Sequence, residues 1–179
     1  MRQLIAIIGM PGAGKSEASA FFAEKGMTIL RFGSVIDDGL KEENKTQTPE
    51  SEKYYREKIR KELGMAGIAI KMLPKIENAI AQNDVILDGL YSWEEYILLK
   101  DKFPNLMLLC MYARPEIRYK RLATRKIRPF TLEEAKKRDK DEIEKLNKGG
   151  PIAIADYLIK NETTTEDLHE ALEAFTKDL

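Results

Sequence analysis

Gly9-Met10-Pro11-Gly12-Ala13-Gly14-Lys15-Ser16 gathers three glycines, an amine and a hydroxyl in one short run. Glycines let a backbone wrap closely around an anion with no side chain in the way. The N–H groups of such a loop point inward at phosphate oxygens. Lys15 adds a mobile positive charge near β- and γ-phosphates, and the Ser16 hydroxyl is suited to ligate Mg²⁺. The run fills the pattern G-x-x-x-x-G-K-[ST] without a gap. Its flanks must position it. Leu4-Ile5-Ala6-Ile7-Ile8 is short, apolar and β-branched, which reads as a buried parallel strand. From Ser16 to Lys25, Ala18, Phe21 and Phe22 fall at helical spacing. A helix starting there aims the positive end of its dipole at the loop. Together these features predict a nucleoside triphosphate site. Its expected contacts are Gly9, Pro11, Gly12, Ala13, Gly14, Lys15, Ser16 and Glu17.

A second chemical feature is Val85-Ile86-Leu87-Asp88-Gly89, an apolar strand ending in an acid and a glycine. Beside a phosphate loop, a strand-end carboxylate is placed to complete a magnesium shell, so the expected metal residues are Ser16 and Asp88. A third is Arg114, Arg118, Arg121, Arg125 and Arg128, half of the chain's ten arginines within fifteen residues. Their steps of four, three, four and three follow one helical face. Such a row repels itself unless an anion, or acids from elsewhere, lie against it. Arginine suits two-pronged phosphate contacts. Lys15, Arg121, Arg125, Arg128 and Arg138 are therefore the expected catalytic residues, with Arg114 and Arg118 the more structural pair. Gly33, Ser34 and Val35 follow the second strand, where free N–H groups suit an acceptor phosphate. Gly89, Tyr91 and Arg60 complete the expected acceptor set, Arg60 being preferred over Arg56 one turn earlier.

The rest of the chain supplies the frame. At 179 residues with 43% hydrophobic content it fits one α/β domain with a real core. The formal net charge of +0 points to neither nucleic acid nor a membrane surface. No apolar run nears ~18 residues, and the N-terminus enters a strand almost at once, so a cytoplasmic protein is expected. Cys110, the single cysteine, lies in an apolar run and reads as a buried thiol. Strands are expected at Leu4–Ile8, Met27–Arg31, Val85–Asp88, Leu106–Met111 and Tyr157–Ile159. Helical stretches between them predict a five-stranded parallel sheet with helices on both faces, in three layers. Residues 33–82 read as a helical insertion and 126–150 as a charged flap, whose helix begins at the capping box Thr131-x-x-Glu134 and is broken by Gly149-Gly150-Pro151. A second box, Thr163-x-x-Glu166, opens the last helix.

Over nearly its whole length the chain resembles the nucleoside monophosphate kinase group of P-loop kinases. It is most similar to archaeal proteins related to adenylate kinase and dephospho-CoA kinase. Leu87-Asp88-Gly89 resembles the Asp-Gly pair of adenylate kinases. Arg118-Tyr119-Lys120-Arg121-Leu122-x-x-Arg125 resembles their arginine helix before the lid, and Arg138-Asp139 the far arm of that lid. Ala155-Asp156-Tyr157-Leu158-Ile159-Lys160-Asn161 is similar to the Ala-Asp-x-x-Ile-x-Asn segment of dephospho-CoA kinases, which implies that Asn161 lies near the ATP base. The resemblance implies a P-loop NTPase fold and transfer from ATP·Mg²⁺ to a small nucleotide, AMP first, by a monomer or homodimer. Two departures matter. Asp37 stands where an acceptor arginine is expected after the second strand, and Leu90-Tyr91-Ser92-Trp93 lacks the arginine expected after Asp-Gly. Dephospho-CoA kinase, with Asp37 as a base, is the close alternative. A regulatory nucleotide-binding protein without turnover is the alternative of another class.

Overall fold

The computed structural model describes residues 2–179. Five strands form one parallel sheet in the order β2-β3-β1-β4-β5. They are β1 (Leu4–Ile8), β2 (Thr28–Arg31), β3 (Val85–Asp88), β4 (Met107–Tyr112) and β5 (Tyr157–Lys160). Register pairs Ile7 with both Asp88 and Leu109, and Arg31 with Asp88, so β1, β2 and β3 end nearly together while β4 and β5 run further. Parallel strands buried on both faces read as continuous apolar runs, and β1 is buried at every position. Alternate side chains feed two cores. Leu4, Ala6, Ile8, Leu87, Leu108 and Cys110 face one side, and Ile5, Ile7, Ile86, Leu109 and Met111 the other.

The second core is closed by α1 (Lys15–Glu24) and α9 (Thr165–Lys177), through Phe21, Phe22, Leu168, Leu172 and Phe175. The first is closed by α2 (Gly33–Glu42), α3 (Pro49–Leu63), α4 (Gly67–Ile80) and α5 (Trp93–Lys102). Residues 33–82 therefore hold three helices, of which α4 packs on β2 and β3 as an ordinary crossover. The chain continues through α6 (Pro115–Thr124), α7 (Leu132–Leu146) and α8 (Gly149–Ala153).

Three local expectations shift. The five arginines do not share one helix: α6 ends at Thr124, Arg125 turns extended, and Arg128 sits in a loop at φ 51. Helix α7 starts at the Thr131–Glu134 capping box as expected, but ends at Asn147 in the left-handed conformation; Gly149-Gly150-Pro151 opens α8 instead of breaking α7. The box on α9 pairs Thr164 with Asp167, one residue later than expected. Among the described residues, no helix is long and apolar enough to cross a membrane.

Candidate functional site

The strand ends converge on a cleft of about 650 Å³. Its floor is the glycine loop. Gly9 has φ 133, and a Cβ there would collide with the Met111 carbonyl of β4. Gly14, at φ 102, is the N-cap of α1, and no side chain caps that helix. The first N–H groups of α1 are thus left to a ligand. Pro11, Gly12, Lys15 and Ser16 line the cleft. Lys15 Nζ donates to the carbonyls of Gly9 (2.8 Å) and Met10 (3.2 Å). Burial pushes its pKa down to about 7; nearby Lys148 adds to this, against Glu142 and Asp88.

Asp88, at the end of β3, also lines the cleft. Burial raises its pKa, opposed by the charges of Lys15 and Arg31. Tyr91 lies beyond it, its phenol pushed up to about 12 by burial and by Glu142 and Asp88, so it stays neutral. The loop that presents Tyr91 is held by Glu95, whose Oε2 accepts from the N–H groups of Tyr91 (2.7 Å) and Ser92 (3.1 Å).

The arginines divide by partner. Arg125, Arg128 and Arg138 line the cleft, with Arg125 4.5 Å above the Phe130 ring. Arg128 spans the mouth and binds Glu52 of α3 with both terminal nitrogens, at 3.1 and 3.2 Å. Arg121 does not line the cleft. It donates to the carbonyl oxygen (3.0 Å) and Oδ1 (3.3 Å) of Asn161. Asn161 is buried and donates through Nδ2 to the Ala13 carbonyl at 3.0 Å, so these two residues brace the glycine loop. Arg114 pairs with Glu162. Arg118 is buried in a two-pronged bond to Asp139 of α7 (2.9 and 2.7 Å) and donates to the Pro11 carbonyl. Acids from elsewhere therefore absorb part of the arginine row. Breaking a buried pair strands a charge at a cost of about 3–5 kcal/mol. Arg118→Met is expected to lower Tm by roughly 10 °C, read by thermal unfolding; a drop under about 2 °C would contradict this account.

The acceptor side departs most from expectation. Gly33 and Tyr91 line the cleft, whereas Ser34, Val35, Gly89 and Arg60 do not. Val35 is in the core, and its N–H donates to the Phe32 carbonyl. Gly89 packs under the Tyr91 ring. Arg60 turns from the cleft toward buried Glu95, which feels its charge. In its place, Arg56 and Arg31 line the cleft. Arg56 and Arg60 lie one helical turn apart, a spacing that does not reveal which of them faces the cleft. Arg31 is the last residue of β2 and pairs in register with Asp88 of β3; an arginine at a strand end is the sequence signal for its place in the cleft. Trp93 packs on Tyr96 and Gly150 instead of the cleft. Asp37 lies outside the cleft, bonded to Gln47 at 2.7 Å. Glu17 Oε1 lies 3.0 Å from His169 Nε2 on the outer side of α1, and Glu17 does not line the cleft. Asp156, in the segment similar to dephospho-CoA kinases, accepts from the N–H of Leu108 (2.7 Å) and so braces β4.

Comparison with known proteins places this geometry. Residues 5–147, from β1 to just past α7, match the family model described as an AAA domain. The chain is 32% identical to the UPF0200 protein of Pyrococcus abyssi, over 98% of this chain and 96% of that one. The UPF0200 protein of Sulfurisphaera tokodaii is also 32% identical, over 98% and 96%. The chain belongs to the UPF0200 family. Among solved structures it is similar to shikimate kinase from Acinetobacter baumannii in complex with shikimate (TM-score 0.61, 18% identity, 99% of this chain and 94% of that one). It is also similar to a gluconokinase from Sinorhizobium meliloti (TM-score 0.58, 14% identity, 99% and 97%). At such identities the likeness shows the fold, a P-loop fold with helices on both faces of a parallel sheet.

Proposed function

We propose that this UPF0200 family member is an ATP-dependent phosphotransferase acting on a small nucleotide, with AMP the first candidate. The observation that carries this reading is the division of charge across one cleft. The glycine loop, Lys15 and Ser16 form one wall, and Arg31, Arg56 and Gly33 line the side of β2 and the helical insertion. Arg125, just past the end of α6, and Arg128 and Arg138, from the 126–150 segment, line the cleft as well. A donor triphosphate lies on the loop and an acceptor phosphate between Arg31 and Arg56. The lid arginines meet the charge that builds on the transferring group. Arg128 must first leave Glu52, so lid movement accompanies binding. Ser16 and Asp88 offer one hydroxyl and one carboxylate, which suits Mg²⁺, an ion that takes few protein ligands and completes its shell with phosphate and water. When bound, it neutralises phosphate charge. An ionised phosphate acceptor needs no dedicated base.

One observation favours a second reading, a hydroxyl acceptor such as that of dephospho-CoA. Asp88 is a cleft-lining carboxylate that could take the hydroxyl proton, a role Asp37 is too far outside the cleft to fill. Two solved structures similar to this chain are named for kinases of shikimate and gluconate, which are not nucleotides. A screen for ADP release with Mg²⁺·ATP and AMP, other monophosphates, dephospho-CoA, shikimate and gluconate decides between them. Arg56→Ala is expected to weaken the preferred acceptor on the order of tenfold or more, whereas Arg60→Ala leaves its KM within about twofold. No ADP release and no calorimetric binding of any acceptor would leave the regulatory reading.

A further inference from the structure

The cleft is backed by a buried charge chain that the reading above does not use. Glu142 on α7 and Lys148, just before α8, are 2% and 1% exposed. Glu142 divides its carboxylate. Oε2 accepts from Lys148 Nζ, and Oε1 accepts from Arg138 Nε at 2.7 Å. Lys148 Nζ also lies 4.7 Å from the centroid of the Tyr91 ring. Arg138, with a half-exposed side chain, and Glu142 both line the cleft, and Lys148 lies behind them without lining it. Because Glu142 takes only Nε, both terminal nitrogens of Arg138 are free of it. A guanidinium grips phosphate through two nitrogens side by side. Burial favours a neutral Glu142, but Lys148 and Arg138 outweigh that and keep it ionised. Without Lys148, this buried carboxylate would keep Arg138 as its one hydrogen-bonded cation, since Lys15 Nζ is held by the Gly9 and Met10 carbonyls. It would close on the Arg138 fork with both oxygens.

We propose that Lys148 is a positioning residue: by occupying one oxygen of Glu142 it confines that carboxylate to Nε of Arg138 and keeps the two terminal nitrogens available to a phosphoryl group. The proposal rests on the phosphotransferase reading. It differs from a packing role because removing Glu142's charge should undo the damage of losing Lys148.

The test compares Lys148→Met, Lys148→Met with Glu142→Gln, and Arg138→Met. Lys148→Met should lower kcat on the order of tenfold or more and leave KM for ATP within about twofold. Adding Glu142→Gln should recover most of the loss, since a neutral amide no longer captures the fork while its oxygen still accepts from Nε. On the Arg138→Met background, Lys148→Met should add nothing. A double variant no faster than Lys148→Met, or additive losses with Arg138→Met, overturns the proposal. If Lys148→Met melts too low to assay, the double variant carries the test alone: it must keep roughly a third of the parental rate or more, because a neutral pair can replace a buried ion pair, and a tenfold loss refutes it. A second measurement is independent of turnover. Arginine side-chain NMR should show the terminal nitrogens of Arg138 responding to inorganic tripolyphosphate in the parent and the double variant, and not in Lys148→Met. A parent that releases no ADP removes the phosphotransferase reading, while the NMR result still decides whether Lys148 frees Arg138. No response of Arg138 in the parent, or an equal response in Lys148→Met, overturns it.

Discussion

Lys15→Met is expected to abolish ADP release while the fold stands. Lys15 bonds only loop carbonyls in this structure, so its loss removes phosphate-binding charge and little packing. A preorganised charge on a transferring phosphoryl group is worth on the order of 10²-fold or more in rate. The residue also carries a proton signature. Burial holds its pKa near about 7 instead of 10.5. Between those values the unfolded chain binds more protons than the folded one, so Lys15's contribution makes stability rise with pH across that window. Lys15→Met should remove that part of the slope. A bound triphosphate favours the charged amine, so ATP binding near about pH 8.5 should draw up a proton. Calorimetry in two buffers of different ionisation enthalpy reads it. Parental turnover in the variant, or ATP binding with no proton uptake by the parent, would sink the role given to this lysine.

Asp88→Asn should have the next largest effect. It preserves shape and removes the charge that, with the Ser16 hydroxyl, suits a divalent cation. Activity should fall on the order of 10²-fold at low Mg²⁺ and recover in part as the metal is raised. The neutral amide costs less to bury than the carboxylate and removes an anion from beside the phosphates, but it also leaves Lys15 without one of the two carboxylates that support its charge. These effects oppose each other, so ATP affinity without metal should change little. A magnesium titration superimposable on that of the parent would reduce Asp88 to a turn residue.

Features whose chemistry is local were legible in the residues. The β1–loop–α1 unit is one, because the glycine conformations, the helix start and the lysine all lie within one short run. The apolar strands are another: a strand buried on both faces announces itself as an unbroken apolar run, and Leu4–Ile8 and Val85–Asp88 have the expected ends. The capping box at Thr131 set the start of α7 for the same reason. The partners of the charged side chains depend on how the elements meet. Arg118 and Arg121 are one turn apart on α6, yet Arg118 meets Asp139, 21 residues on, and Arg121 meets Asn161, 40 residues on. Arg56 and Arg60 are also one turn apart, and the packing of α3 against α2 and α4 turns one into the cleft and the other toward Glu95. Lys148 lies in the segment read as a charged flap, and is buried because Glu142 of the docked α7 neutralises it. The sequence by itself determined that a phosphate-binding loop stands at the end of a parallel sheet, since spacing along one strand, turn and helix suffices for that. Which cations surround that loop, and which are spent holding the structure together, was decided only by tertiary packing, because a long charged side chain takes its partner from whichever element lies across from it.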